Sequence, residues 1–223
     1  MERQTLMHNA FLTWSTPLAE ALIVKTARVS APANQNNLET GPKLLKYLIK
    51  HRHWSPFEMA NMCLEIHTTR AISPQILRHR SFTFQEFSQR YADPKLLGRI
   101  RTPDLRMQDP KNRQNSIDSV ESSISNVELN DLHYRIATHL QESRDIYTKM
   151  LDLGIAKECA RSILPINTPT TLYMSGTLRS WIHYIDLRTA HGTQLEHKMV
   201  AESCKTHFID RFPLISEALG WNA

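Results

Sequence analysis

From Met59 to Thr69 apolar and polar positions alternate, with Ala60, Met62, Leu64 and Ile66 on one side and Asn61, Glu65 and His67 on the other. A period of two over this length predicts a half-buried strand in an antiparallel or mixed sheet. The β-prone run Thr170 to Thr177 predicts a second strand, and residues 10–14 (AFLTW) a short one. Elsewhere the repeat is helical. Pro17 sits near a helix start, with Leu18, Leu22 and Val29 among the apolar positions up to Ser30. Leu44, Leu45, Leu48 and Ile49 mark a helix ending near His51 to Pro56. Ser73-Pro74 offers an N-cap and a first-turn proline, for a helix that puts Gln75, Arg78 and His79 on one face. Leu129, Leu132, Ile136, Leu140, Tyr147 and Leu151 form one stripe of a long helix stopped at Gly154. Leu195, Met199, Val200, Phe208 and Ile209 belong to a last amphipathic helix before a short tail. Residues 31–42 and 92–116 are polar, proline-bearing loops. The expected fold is α+β: a single domain over residues 1–223, with a mixed or antiparallel sheet flanked by long helices.

Composition narrows the class. Hydrophobic content of 41% and charged content of 22% suit a globular protein rather than a disordered one. A net charge of +5 suits polyanionic small molecules as well as nucleic acid. No apolar run is long enough to cross a bilayer, and residues 1–14 lack the apolar core of a signal peptide, so no membrane and no secretion are expected. Cys63, Cys159 and Cys204 are odd in number and far apart, which fits a reducing cytoplasm and small buried thiols. His51 and His53 have no second ligand pair at recognisable spacing, so no metal is expected. There is no GxGxxG and no Walker-type loop. Any nucleotide phosphate must be held by arginines instead.

Those arginines cluster. Residues 78–91 read RHRSFTFQEFSQRY, with Arg78, His79, Arg80 and Arg90 beside Glu86, Ser88 and Tyr91, and Phe82, Phe84 and Phe87 between them. Forked guanidinium donors match phosphate oxygens two at a time. The same composition suits a solvated basic face, or a small basic module that stacks single-stranded nucleic acid. Beyond Arg80 an extended chain puts Glu86, Ser88 and Arg90 on one face, whereas a helix aligns Phe84, Phe87 and Tyr91. Gln75 beside Arg78 can meet both a base edge and a phosphate. Downstream, in LRSWIHYIDLRTAHGTQ, Arg179 and His183 stand at i, i+4 and Arg188 at the helix end.

The order Arg78-His79-Arg80, seven residues, Ser88, with Glu86 before the serine and Arg90-Tyr91 after it, resembles the signature of the flavin-dependent thymidylate synthases. It favours the irregular or extended reading. The resemblance runs over roughly residues 20–200. It takes in His53, Pro56, Phe57 and Glu58, then Arg161 and Pro165, then Arg179, Ser180, Leu187, Arg188, Gln194 and Glu196. Ala27 to Ser30 resembles a family segment near the flavin, or is the frayed end of a helix. Thr83 and Gln85 replace a serine and an asparagine, and Thr177 and His183 stand where asparagines are common. The resemblance implies reductive methylation of dUMP to dTMP, with methylenetetrahydrofolate as carbon donor and NADPH reducing FAD. It implies FAD contacts from Ser55, Arg78, His79, Arg80, Glu86, Thr177, Leu178, Arg179 and His183. It implies dUMP contacts from Gln75, Arg78, Glu86, Ser88, Gln89, Arg90, Arg161 and Arg188, with Arg188 activating the pyrimidine. A homotetramer with sites built from several subunits is implied, as is residues 92–116 bordering the site, as a lid or a plain surface loop. No cysteine lies in the arginine-rich stretches, so no thiolate nucleophile is expected.

Overall fold

The computed structural model describes residues 7–221. Its centre is a four-stranded antiparallel sheet of β1 (Asn9–Ser15), β2 (Asn61–Thr69), β3 (Thr83–Glu86) and β6 (Pro169–Thr177), in the order β1-β2-β6-β3. The predicted alternation holds. Ala60, Met62, Leu64 and Ile66 are buried, while Asn61, Glu65 and His67 remain half-buried on the other face. Pairing Leu64 with Met174 and Ile66 with Leu172 puts the apolar faces of β2 and β6 on the same side.

Helices cover that side. Between β1 and β2 lie α1 (Ala19–Ala27) and α2 (Gly41–Lys50), and α3 (Ser73–Leu77) joins β2 to the arginine-rich stretch. After β3, residues 107–108 (β4) and 116–117 (β5) form a two-residue ribbon. Then come α4 (Val120–Ser123), α5 (Asn126–Asp152) and α6 (Lys157–Ala160). Beyond β6 the chain enters α7 (Leu178–Thr189), α8 (Leu195–Arg211) and α9 (Pro213–Leu219). Trp181 and Ile185 of α7, and Val200, Cys204 and Phe208 of α8, join the buried cluster with Met62, Leu64 and Met174. Each such aliphatic or aromatic burial contributes about 1.5–3 kcal/mol. The indole of Trp181 is satisfied by the Met62 carbonyl at 2.9 Å, so a large polar-tipped ring sits in the core without an orphaned donor.

Several local expectations change. Ser73 does not cap α3; it is the first helical residue, and its hydroxyl donates to Glu86 instead. The helix stops at Leu77, so of Gln75, Arg78 and His79 only Gln75 is on it. Residues 28–40 are organised by Arg28, whose buried guanidinium donates to the carbonyls of Asn34 and Asn37 and to Thr40. On α5 only Leu140 and Tyr147 of the apolar stripe are buried; Leu132 is 40% exposed, because the first half of the helix runs past the core. Leu195 and Met199 of α8 are also exposed. The tail folds into α9, and Phe212, Ile215 and Trp221 complete the core. Cys63 and Cys204 are buried free thiols, but Cys159 on short α6 is exposed. No helix among the described residues is long and apolar enough to cross a membrane.

Candidate active site

The arginine-rich stretch is divided between three environments. Its first part meets α7 and α8. β3 runs out antiparallel to β6, and the turn before it points His79 at the end of α7, where Nε of Arg188 donates to His79 Nε2 at 2.9 Å. The imidazole packs edge-on against Tyr184, one helical turn earlier, with centroids 4.8 Å apart. Burial, then the charges of Arg188 and His183, hold the His79 pKa down to about 4, so at neutral pH its ring is uncharged and accepts from Arg188. Among the described residues no carboxylate lies within 4.0 Å of Arg188, Arg78 or Arg80. Arg188 therefore presents a half-buried positive charge whose Nε is fixed and which no described carboxylate neutralises.

Behind this pair is a polar layer. His197 is fully buried and bonds Tyr184 Oη at 3.2 Å and Gln75 Oε1 at 3.3 Å. Burial, then Arg188 and His79, bring its pKa down to about 3. Gln75 is thus joined to the Arg188 group from α3 through His197 and Tyr184.

On the exposed side of α7 an open cleft of about 440 Å³ is lined by Trp54, Glu58, Ser81, Arg179, Ser180, Ile182, His183 and Asp186. Thr177 caps α7, its hydroxyl accepting from the Ser180 amide at 3.2 Å, and so sets the direction in which Arg179 and His183 leave the helix. Arg179 is ion-paired to Glu58. Leu178, the first residue of α7, is buried, and Ser55 is exposed in the 3-10 turn that carries Trp54 and Glu58 to the cleft. Ser81, two residues beyond His79, lines the cleft, so the cleft and the Arg188 group adjoin.

The rest of the stretch lies elsewhere. Glu86 is engaged at both oxygens, by Arg70 at 2.6 Å and by Ser73 and Thr170 at 2.6 and 3.1 Å, and ties β3 to α3 and β6. Arg90 lies 3.6 Å from Glu158 of α6, and Arg161 follows that helix directly. Gln89 is 8% exposed, and its Nε2 is the one buried side-chain polar atom among the described residues without a partner. An unpaired buried amide costs about 1–3 kcal/mol, which is recovered if a ligand supplies the acceptor. Among the described residues no hydrogen bond or ion pair joins Ser88, Gln89, Arg90 and Arg161 to the Arg188 group. The aromatics between the arginines are not free to stack on bases: Phe82 is buried 4.9 Å from Trp181, and Phe87 packs against the cluster of Leu97, Tyr147 and Ala160.

The donor set fits a flavin nucleotide. Arg78 and Arg80 are exposed cations without a carboxylate partner among the described residues, and the cleft brings Trp54 together with Arg179, His183 and Ser81. Tyr184, His197, Trp54 and Asp186 were not expected here. Gln75 and His197 are 122 residues apart, and no local pattern links them. Glu58 alone had a signal, in the His53 to Glu58 segment.

The chain matches the family described as thymidylate synthase complementing protein over residues 12–214. It is 53% identical over 206 residues to a probable flavin-dependent thymidylate synthase of Paramecium bursaria Chlorella virus 1, covering 91% of each chain. It is 48% identical over 202 residues to the flavin-dependent thymidylate synthase of Synechocystis sp., covering 91% of this chain and 90% of that one. Among solved structures, it is similar to the UMP/dUMP methylase PolB of Streptomyces cacaoi bound with 5-Br dUMP, with a TM-score of 0.80 and 30% identity over 95% of this chain and 93% of that one.

Proposed function

Because the chain belongs to the family of thymidylate synthase complementing proteins, we propose that its arginine groups are the dUMP and flavin sites of a flavin-dependent thymidylate synthase. It is an enzyme that methylates dUMP with a flavin as cofactor. One observation carries the residue assignment: Arg188, half-buried and unneutralised, is fixed through Nε on a neutral His79 beside Gln75 and the α7 cleft.

Arg188 faces the pyrimidine and stabilises the negative charge that develops on the ring, a preorganised cation that needs no reorganisation during reaction. His79 holds that guanidinium in place. Gln75, Arg78, Glu86, Ser88, Gln89, Arg90 and Arg161 bind dUMP, the arginines taking its phosphate and Gln89 offering its unpaired amide. Ser55, Arg78, His79, Arg80, Glu86, Thr177, Leu178, Arg179 and His183 hold FAD. Thr177 acts through the helix it caps, and Glu86 by holding β3 beside α3. When bound, the flavin supplies the two-electron redox chemistry that side chains lack.

The co-substrates of this reading are methylenetetrahydrofolate and NADPH. Electron balance supports them. A methylene carbon needs two electrons to become a methyl group, and if the folate leaves as tetrahydrofolate they come from a reductant outside it. A homotetramer with shared sites accords with the lack, among the described residues, of any hydrogen bond or ion pair between Arg90 or Arg161 and the Arg188 group. The apolar residues left open on α5 agree, Val127 being 80% and Leu132 40% exposed. Residues 1–223 are taken as one domain, on the ground that the main core draws residues from Ala10 to Trp221. A cytoplasmic location accords with three free cysteines. The nucleic-acid module is disfavoured by the burial of Phe82 and by the packing of partly buried Phe84 and Phe87 against the two apolar clusters. The purified protein is expected to be yellow, to take up FAD, and to form dTMP from dUMP and methylenetetrahydrofolate with NADPH. A colourless protein that refuses FAD refutes the assignment.

A further inference from the structure

Gln75 sits in a continuous line of hydrogen bonds whose far end lies outside the groups described above. Its Nε2 donates to Gln194 Oε1 at 2.7 Å, and Gln194 Nε2 donates to Glu196 Oε2 at 3.0 Å. The other oxygen of Glu196 is ion-paired with Arg106, which also donates to Asp104 at 2.7 Å and to Ser116 at 2.9 Å. In the other direction Gln75 Oε1 meets His197 Nδ1, and His197 Nε2 meets Tyr184 Oη. The line thus runs from residues 104–116, past Gln75, to the aromatic ring against which His79 packs.

Three members of this line are ambiguous by themselves. The two ends of a carboxamide are alike in shape and opposite in polarity, and a neutral imidazole carries its proton on either nitrogen. Glu196 is not ambiguous. Burial works against its charge, but Arg106, its own backbone amide and Gln194 outweigh that, and its carboxyl stays below the usual range. An ionised carboxylate only accepts. Gln194 must therefore turn its NH₂ towards Glu196 and its carbonyl towards Gln75, so Gln75 must offer NH₂ to Gln194 and carbonyl to His197. His197 must then carry its proton on Nδ1 and accept from the Tyr184 hydroxyl. Every donor along the line points towards Glu196.

We propose that Glu196, held by Arg106, is a positioning residue that sets the polarity of this line and so presents Gln75 to the nucleotide as a hydrogen-bond donor. One N–H of Gln75 is spent on Gln194, and the second is left for an oxygen of dUMP. With the line reversed, the NH₂ would turn to His197 and the carbonyl to Gln194. The contact to the nucleotide would then lose its donor. The inference rests on the reading of Gln75 as a dUMP ligand. It gives residues 104–116 a role that their loop character alone does not suggest: they carry the cation that keeps Glu196 ionised.

Glu196→Gln keeps the size and removes the acceptor-only end. In FAD-loaded protein, titration with dUMP is expected to show up to about a tenfold weaker Kd, the worth of one ordinary hydrogen bond. The dUMP KM should rise in step, with kcat at saturating dUMP and the flavin spectrum held. In a Gln75→Ala background the same substitution should change dUMP affinity no further, because the two residues act through one contact. An unchanged Kd in Glu196→Gln overturns the proposal, and so does an equal loss in both backgrounds, which marks a packing defect. If Glu196→Gln does not fold, His197→Leu and His197→Asn decide. Asn keeps a donor for Gln75 and should restore dUMP affinity lost in Leu; equal losses refute the line. If the wild-type protein binds FAD but not dUMP, the nucleotide reading itself fails, and the proposal with it.

Discussion

Replacing Arg188 by alanine tests the centre of the site. The guanidinium is half-buried, has no carboxylate within 4.0 Å among the described residues, and is oriented by a neutral ring, so its charge is neither cancelled nor free to swing away. A unit charge about 4 Å from a developing negative charge is worth about 4 kcal/mol at an effective dielectric of about 20. That corresponds to roughly 10³ in rate, at the upper end of the 10²–10³ usual for one preorganised donor. Truncation also leaves His79 Nε2 without its donor, at a cost of about 1–3 kcal/mol in stability. Arg188→Lys separates the two effects, because it keeps a charge but not the forked geometry that reaches His79 and the ring together. The assay is dTMP formation at saturating FAD and dUMP, with flavin absorbance and the melting temperature measured on the same samples. Arg188→Ala is expected to stay folded and yellow with turnover down 10²–10³-fold, and Arg188→Lys to fall between it and wild type. Near-normal turnover in folded Arg188→Ala refutes the assignment.

Other consequences follow from packing and titration. A Cβ at Gly176 would lie 2.5 Å from Phe82 Cδ1, a ring wedged against Trp181 and Tyr184, so Gly176→Ala should cost about 1–3 kcal/mol; a melting temperature equal to wild type would mean that the ring has room to move. The pKa values of His79 and His197 are lowered from 6.5 to about 4 and about 3, so the unfolded chain takes up protons that the folded one refuses. Their contribution is whole above pH 6.5 and is lost as pH falls towards 4 and 3. Thermal melts at pH 7, 6 and 5, above the ordinary carboxylate range, should show stability declining; a flat profile contradicts neutral buried rings. Burial pushes the thiols of Cys63 and Cys204 up, and only Cys159 is exposed, so a thiol reagent should label the native protein once. Each Cys→Ser variant that folds and binds FAD should still make dTMP, and one that binds both ligands yet is inactive would restore a thiolate mechanism.

The family signature survived folding as chemistry but not as one face. Order and residue type in Arg78 to Tyr91 point to nucleotide phosphates. Yet the structure sends His79 to α7, Glu86 into the sheet and Arg90 to α6, because a four-residue strand between two turns faces three different neighbours.

Strands and helices were legible wherever burial follows a local period. In Ala60 to Ile66 and in Leu172 with Met174, alternate side chains must leave water together, and spacing alone reveals it. The helix of Leu178 to Thr189 and the stop at Gly154 belong to the same class. What only the tertiary structure decided are contacts between distant segments: Arg188 with His79, His197 with Gln75, and Arg106 with Glu196. A buried polar group must find a partner wherever the fold offers one. That partner is chosen by three-dimensional proximity, of which spacing along the chain carries no trace.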